Sequence, residues 1–200
     1  MGSKSILNLC SDLSVYPEDE CVNISLKSSS LLGRMLSPKW SSRIKMELGT
    51  FGSVNNFMDY ISIPNYPAKF KSKSYVSLKE LSGLEKRRSV ANFYALTAWA
   101  IATRIANDKE LIEMIKKNEL PYTSMIIRKV NFLEKDPEKK VHVWDINSRM
   151  GRYVGIIRTI AQDLKSGNAL DSSYIERLVT SCKDKPDLHL LHGVAFAPEL

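Results

Sequence analysis

Two spacings of apolar residues divide the chain. In "SVNNFMDYI", Val54, Phe57, Met58 and Ile61 recur at i, i+3, i+4 and i+7, which predicts an amphipathic helix with Ser53 as N-cap and Pro64 as its end. Gly49 and Gly52 predict a loop ahead of it. Between Arg88 and Asn107, Val90, Tyr94, Thr97, Ala98, Ile101 and Ile105 fall on one side and alanines pack the others, which predicts the central helix. Asp108 caps a second helix, Lys109 to Lys117, with Leu111, Ile112 and Ile115 inward and Glu110 early, where the helix dipole favours an anion. The two form a tight helical hairpin. Met150, Val154, Ile157, Ala161 and Leu164 predict a long helix ending at Gly167, and Asp171 caps a last one through Cys182.

The β signals are shorter. "CVNISL" (Cys21 to Leu26) alternates as a half-buried strand does, in a segment from 1 to 40 that is otherwise irregular, with "YPEDE" (Tyr16 to Glu20) as a turn. "SMIIRKVNFL" (Ser124 to Leu133) and "KVHVWDI" (Lys140 to Ile146) are rich in β-branched residues and flank the turn-like "EKDPEKK", which predicts a small β hairpin. Ile63 to Gly83 holds two prolines and many Lys and Ser, and reads as a mobile basic loop leading into a short helix near Ser77 to Leu81. The apolar tail after Pro186, "LHLLHGVAFA", is expected to dock on the core. The fold class expected is mainly α (α+β), a compact single helical domain over 22–200 with a small β element, preceded by an extension over 1–21.

Composition adds bounds. With 200 residues, 44% of them hydrophobic and 26% charged, the chain can bury a substantial core and is not disordered. Its longest apolar run, Val90 to Ala102, is too short to span a bilayer and is flanked by Arg87, Arg88 and Arg104. The start, "MGSKSILNLC", lacks a secretory pattern and fails the myristoylation pattern at Ile6, so a cytoplasmic protein with no membrane partner is expected. Cys10, Cys21 and Cys182 are widely spaced and read as reduced thiols. His142, His189 and His192 form no ligand cluster in sequence, and no metal or cofactor is expected. The net charge of +7, from 29 basic and 22 acidic residues, favours polyanions. It is scattered into short groups such as "KFKSK" (Lys69 to Lys73), which suits a lid over an anionic ligand or an ordinary solvated loop.

Phosphate-loop, dinucleotide-binding, zincin and hydrolase-elbow motifs are absent from the sequence. Asp59 lies one turn after Asn55, so the two share a helix face. Asp145 and Asn147 stand where a strand gives way to a helix, with Arg149 and Arg152 in its first turn. On spacing alone Asn147 is an N-cap and Asp145 a strand-end charge, or both face a ligand.

Four stretches carry a resemblance. "KSSSLLGRMLSP" (Lys27 to Pro38), "GTFGSVNNFMDYI" (Gly49 to Ile61), "NFYALTAWAIATRIANDKELIEMI" (Asn92 to Ile115) and "NSRMGRYVGIIRTI" (Asn147 to Ile160) resemble, in order, the "LG..LSNF", "G.F.SVE.Y", "M..AL..KF.QNPEL" and "N.LG..LM.VR" elements of the NADAR (YbiA-like) family, in particular its divergent bacteriophage members. The likeness spans residues 22 to 165, and its weight lies in order and spacing. It implies a helical fold that binds phosphorylated ribose compounds of ADP-ribose type, and in active members hydrolysis of an N-glycosidic bond. That chemistry needs a carboxylate to activate water or stabilise an oxocarbenium-like centre, and cations for the phosphates. The family's helix Glu falls on Asn55, which cannot act as a general base, and the Asn of "LSNF" falls on Pro38. The resemblance therefore implies Asp59 or Asp145 as catalytic carboxylate, and Asn55, Lys73, Arg87, Asn147, Arg149 and Arg152 as ligand-binding residues. The alternatives are a catalytically degenerate relative that holds a nucleotide or occupies a host protein, in the host cytoplasm if phage-encoded, and a basic nucleic-acid binder.

Overall fold

A computed structural model describes residues 10–11, 21–85, 88, 90–129, 139–144 and 149–183. Its described elements are, in chain order, strands β1 (Cys10–Ser11) and β2 (Val22–Asn23), helix α1 (Leu31–Leu36), strands β3 (Ile44–Met46) and β4 (Gly49–Phe51), helices α2 (Val54–Ser62), α3 (Ala68–Lys71), α4 (Leu78–Leu81), α5 (Phe93–Ala106) and α6 (Lys109–Lys117), strands β5 (Tyr122–Thr123), β6 (Met125–Lys129) and β7 (Lys139–Trp144), and helices α7 (Arg149–Lys165) and α8 (Ser172–Ser181). The fold is mainly α with a minor β component, as its hydrophobic spacing predicts.

Helix α5 is the axis of the core. Phe93, Tyr94, Ala95, Ala98, Ala100, Ile101, Ala102 and Ile105 are all buried, and only the face of Leu96, Trp99, Thr103 and Ala106 is partly exposed. Its alanines let α2, α6, α7, α8 and β3 approach closely. Asn92 precedes it with φ 57°, a left-handed conformation that Asn tolerates better than most residues. The turn to α6 is short because Asp108 accepts the Leu111 N–H at 3.0 Å. Ser53 and Asp171 cap α2 and α8 in the same way.

The strands form three small sheets. β6 and β7 pair antiparallel from Met125↔Val143 to Lys129↔Lys139, the expected hairpin, and β1 adds Cys10–Ser11 to the outer edge of β7. Part of the segment read as an extension thus joins a sheet. β2 pairs parallel with β5, and the expected strand at Cys21 to Leu26 shrinks to two residues. Gly33 of α1 lies against the carbonyl of Asn23, where any Cβ would collide, so helix and strand pack backbone to backbone. The loop predicted at Gly49 is strand β4, paired with β3 from Ile44↔Phe51 to Met46↔Gly49. Three-residue strands are too short for alternation to show, although Ile44 and Phe51 are fully buried.

The basic segment after α2 is pinned. Asn56 is buried, donates to the carbonyls of Phe70 at 2.7 Å and of Lys73, and accepts the Tyr66 hydroxyl at 2.7 Å. The N–H of Gly52 meets the Lys71 carbonyl at 2.8 Å, and a side chain at Gly52 would run into the backbone of Ser72 and Lys73. The Lys71 ammonium sits 4.0 Å from the Tyr60 ring centre. A segment whose composition suggests mobility is therefore held from below by one amide and one glycine. The tail after Pro186 lies outside the described residues. Asn56→Ala should lower stability in urea unfolding by about 3 kcal/mol, because it strands buried carbonyls and a hydroxyl, while Lys69→Ala should change it by less than about 0.5 kcal/mol.

Candidate functional site

Three consecutive carbonyls, those of Leu36, Ser37 and Pro38, gather three helices. Pro38 cannot continue α1 and holds Ser37 extended, with ψ 137°, so the carbonyls leave the helix in different directions. Leu36 accepts the Tyr153 hydroxyl of α7 at 3.0 Å. Ser37 accepts Nη1 of Arg104, near the end of α5, at 3.2 Å. Pro38 accepts the backbone N–H of Asn55, in the first turn of α2, at 2.7 Å. That N–H has no partner within its own helix, so the tertiary bond satisfies a group that a helix start leaves open.

The electrostatics of this junction are unusual. Arg104 is 5% exposed, and its Nε and Nη2 have no hydrogen-bond partner. Burial pushes the guanidinium pKa down, countered first by the nearby Tyr153 and then by Asp108. Burial pushes the Tyr153 phenol up to about 12, with Arg104 pulling it back. The phenol is thus neutral and free to donate to Leu36 across the physiological range.

Asn55 and Asp59 share a face of α2 as predicted, with Asn55 Nδ2 donating to Asp59 Oδ2 at 3.0 Å. Asp59 is 2% exposed, and Asn55 is half-buried. A carboxylate at this depth can position a bound group but has little contact with bulk water. In the first turn of α7, Arg149 lies 4.1 Å from the Phe93 ring centre and Arg152 lies 4.5 Å from that of Tyr94. Phe93 and Tyr94 are themselves edge to face at 5.6 Å. Both guanidiniums are half-exposed. Lys73 lies apart from the junction, on the pinned segment, with its ammonium 2.6 Å from Glu80. That contact, with the Ser77 hydrogen bonds, holds Glu80 at about 2. Arg87, Asp145 and Asn147 lie outside the described residues.

Sequence spacing missed Arg104 and Tyr153, because an Arg and a Tyr on core-facing helix positions look like solvent-reaching or packing side chains. A cleft of about 240 Å³ lies between α7 and α8, lined by Thr159, Asp163, Asn168, Tyr174, Arg177, Leu178 and Ser181. Tyr174 donates to Asp163 across it at 2.8 Å. Among the described residues no group of His, Cys, Asp and Glu is placed to hold a metal ion, and no helix is long and apolar enough to cross a membrane. No known family, curated protein or solved structure matches the chain.

Tyr153→Phe should cost about 1 to 2 kcal/mol at neutral pH by removing the bond to Leu36. The raised phenol pKa adds a sign: its contribution is complete below the ordinary value of 10.0 and is lost as pH climbs through about 12. Urea unfolding at increasing alkalinity should therefore show a smaller decline for Tyr153→Phe than for the wild type.

Proposed function

We propose that the chain is a NADAR-like protein that binds an ADP-ribose or phosphoribosyl-type ligand beside the Leu36–Pro38 junction. The supporting observation is convergence. The four stretches that carry the resemblance are separated by up to a hundred or so residues of chain, yet the first supplies three adjacent carbonyls, Leu36–Pro38, and each of the other three sends one group to them: Asn55 from the second, Arg104 from the third and Tyr153 from the fourth. Short motifs matched by accident have no reason to meet. Arg149, one turn of α7 before Tyr153, and Arg152, directly before it, are two half-exposed stacked cations that would face phosphates. Asn55, half-buried and fastened to Asp59, offers an amide for a ribose hydroxyl.

Binding without hydrolysis is the form favoured by the α2 face. Asn55 stands at the position of the family's Glu, and Asp59, the carboxylate one turn on, is buried and already takes the Asn55 amide. General-base catalysis needs a carboxylate in reach of a water and of the reacting carbon, and displacement by one helical turn removes most of its effect.

Calorimetric titration should give saturable heat with ADP-ribose, and Arg149→Ala with Arg152→Ala should weaken it about tenfold per lost phosphate contact. No heat at millimolar ADP-ribose would overturn the proposal. Chromatography of the same mixtures should show intact ligand; cleavage by wild type that disappears in Asp59→Asn would replace binding by hydrolysis.

A further inference from the structure

We infer that Arg104 is an anion anchor, and that the edge of its guanidinium formed by Nε and Nη2 receives an oxyanion, a phosphate or a carboxylate group. The two nitrogens left without partners are not arbitrary. They lie on one side of the planar group and point their N–H bonds in parallel, which is the fork that grips two oxygens of one anion. Nη1, on the other side, is fastened to the Ser37 carbonyl at 3.2 Å and fixes the plane. Arg158 shows what this chain does with the same edge where a protein acceptor exists: its Nε and Nη2 both donate to the Tyr122 carbonyl, at 2.8 and 2.5 Å. At Arg104 the corresponding edge meets no acceptor in hydrogen-bonding geometry, although the neutral Tyr153 hydroxyl lies close enough to interact with the guanidinium.

The charge is equally uncompensated. Arg104 is 5% exposed, and a buried cation without a hydrogen-bonded counter-ion is costly. The groups that face it are Tyr153 from α7, Ser37 after α1, and Asp108 beyond the end of α5. Tyr153 is neutral and has its own acceptor in Leu36, and Asp108 is occupied as the N-cap of α6. An entering oxyanion would supply two acceptor oxygens and the missing negative charge in one step. This inference concerns any small oxyanion and does not require the ligand to be a nucleotide.

The test is thermal unfolding of the full chain at constant ionic strength with inorganic phosphate, acetate or chloride, in wild type, Arg104→Met and Arg104→Lys. Wild type should gain about 5 °C in Tm at roughly a hundredfold excess of the effective anion over its Kd. Arg104→Met should fold with a Tm no lower than that of anion-free wild type, because an apolar chain replaces an unpaired charge while the Ser37 carbonyl keeps the Trp40 N–H, and should lose the response. If that variant does not fold, Arg104→Lys decides: it keeps the charge without the fork, and its response should fall at least tenfold in apparent affinity. A response to phosphate or to acetate that depends on Arg104 supports the anchor and identifies the oxyanion. Equal responses in wild type and the folded variants, or no response to either anion beyond that to chloride, would overturn it. ADP-ribose binding with no Arg104-dependent response to phosphate or acetate would remove the anchor and leave the proposed ligand standing, while Arg104-dependent phosphate binding without ADP-ribose binding would do the reverse.

Discussion

Everything near the candidate site hangs from the point where Pro38 stops α1. Because proline denies the next helical turn and holds Ser37 extended, the carbonyls of Leu36, Ser37 and Pro38 leave the axis of α1, and that of Ser37 also takes the Trp40 N–H at 3.0 Å. Each then takes a donor from a different helix, and the donors differ in kind: a phenol, a guanidinium and a backbone amide. Buried carbonyls must find partners, so this arrangement fixes where α2, α5 and α7 sit relative to α1. The same constraint creates the unusual feature of the molecule, since an arginine brought in to satisfy one carbonyl with one nitrogen carries four further N–H bonds and a charge into the interior.

Much of the fold was legible in the sequence. The caps at Ser53, Asp108 and Asp171 are where their side-chain chemistry places them, and the spacing of Val54, Phe57 and Ile101 marks buried faces correctly. The two- and three-residue strands β1, β3, β4 and β5 escaped, because they are defined by what they pair with and not by a pattern along the chain. The segment from Ile63 to Gly83 was legible as irregular and basic but not as fixed. Its restraint comes from Asn56 below it and from Gly52, neither of which announces a long-range partner.

The site was only half legible. Shared helix faces gave Asn55 with Asp59 and Arg149 with Arg152, since a three- or four-residue separation is sufficient to place side chains together. Arg104 and Tyr153 could not be found that way, because their importance lies in tertiary partners 67 and 117 residues away. The basic surplus also looks different once folded. Lys71 is spent on Tyr60, Lys73 on Glu80, and Arg149 and Arg152 are held against aromatic rings.

The central claim is that an anionic ligand meets this protein at the Leu36–Pro38 junction. The most direct measurement is nuclear magnetic resonance of ¹⁵N-labelled chain, following the arginine Nε–Hε signals and the backbone amides during titration with ADP-ribose. The account predicts that the Arg104 Nε–Hε signal and the Asn55 amide move together along one binding curve. Saturation with both signals unmoved, and with shifts confined to residues such as Lys69 to Lys73 or the cleft between α7 and α8, would contradict it.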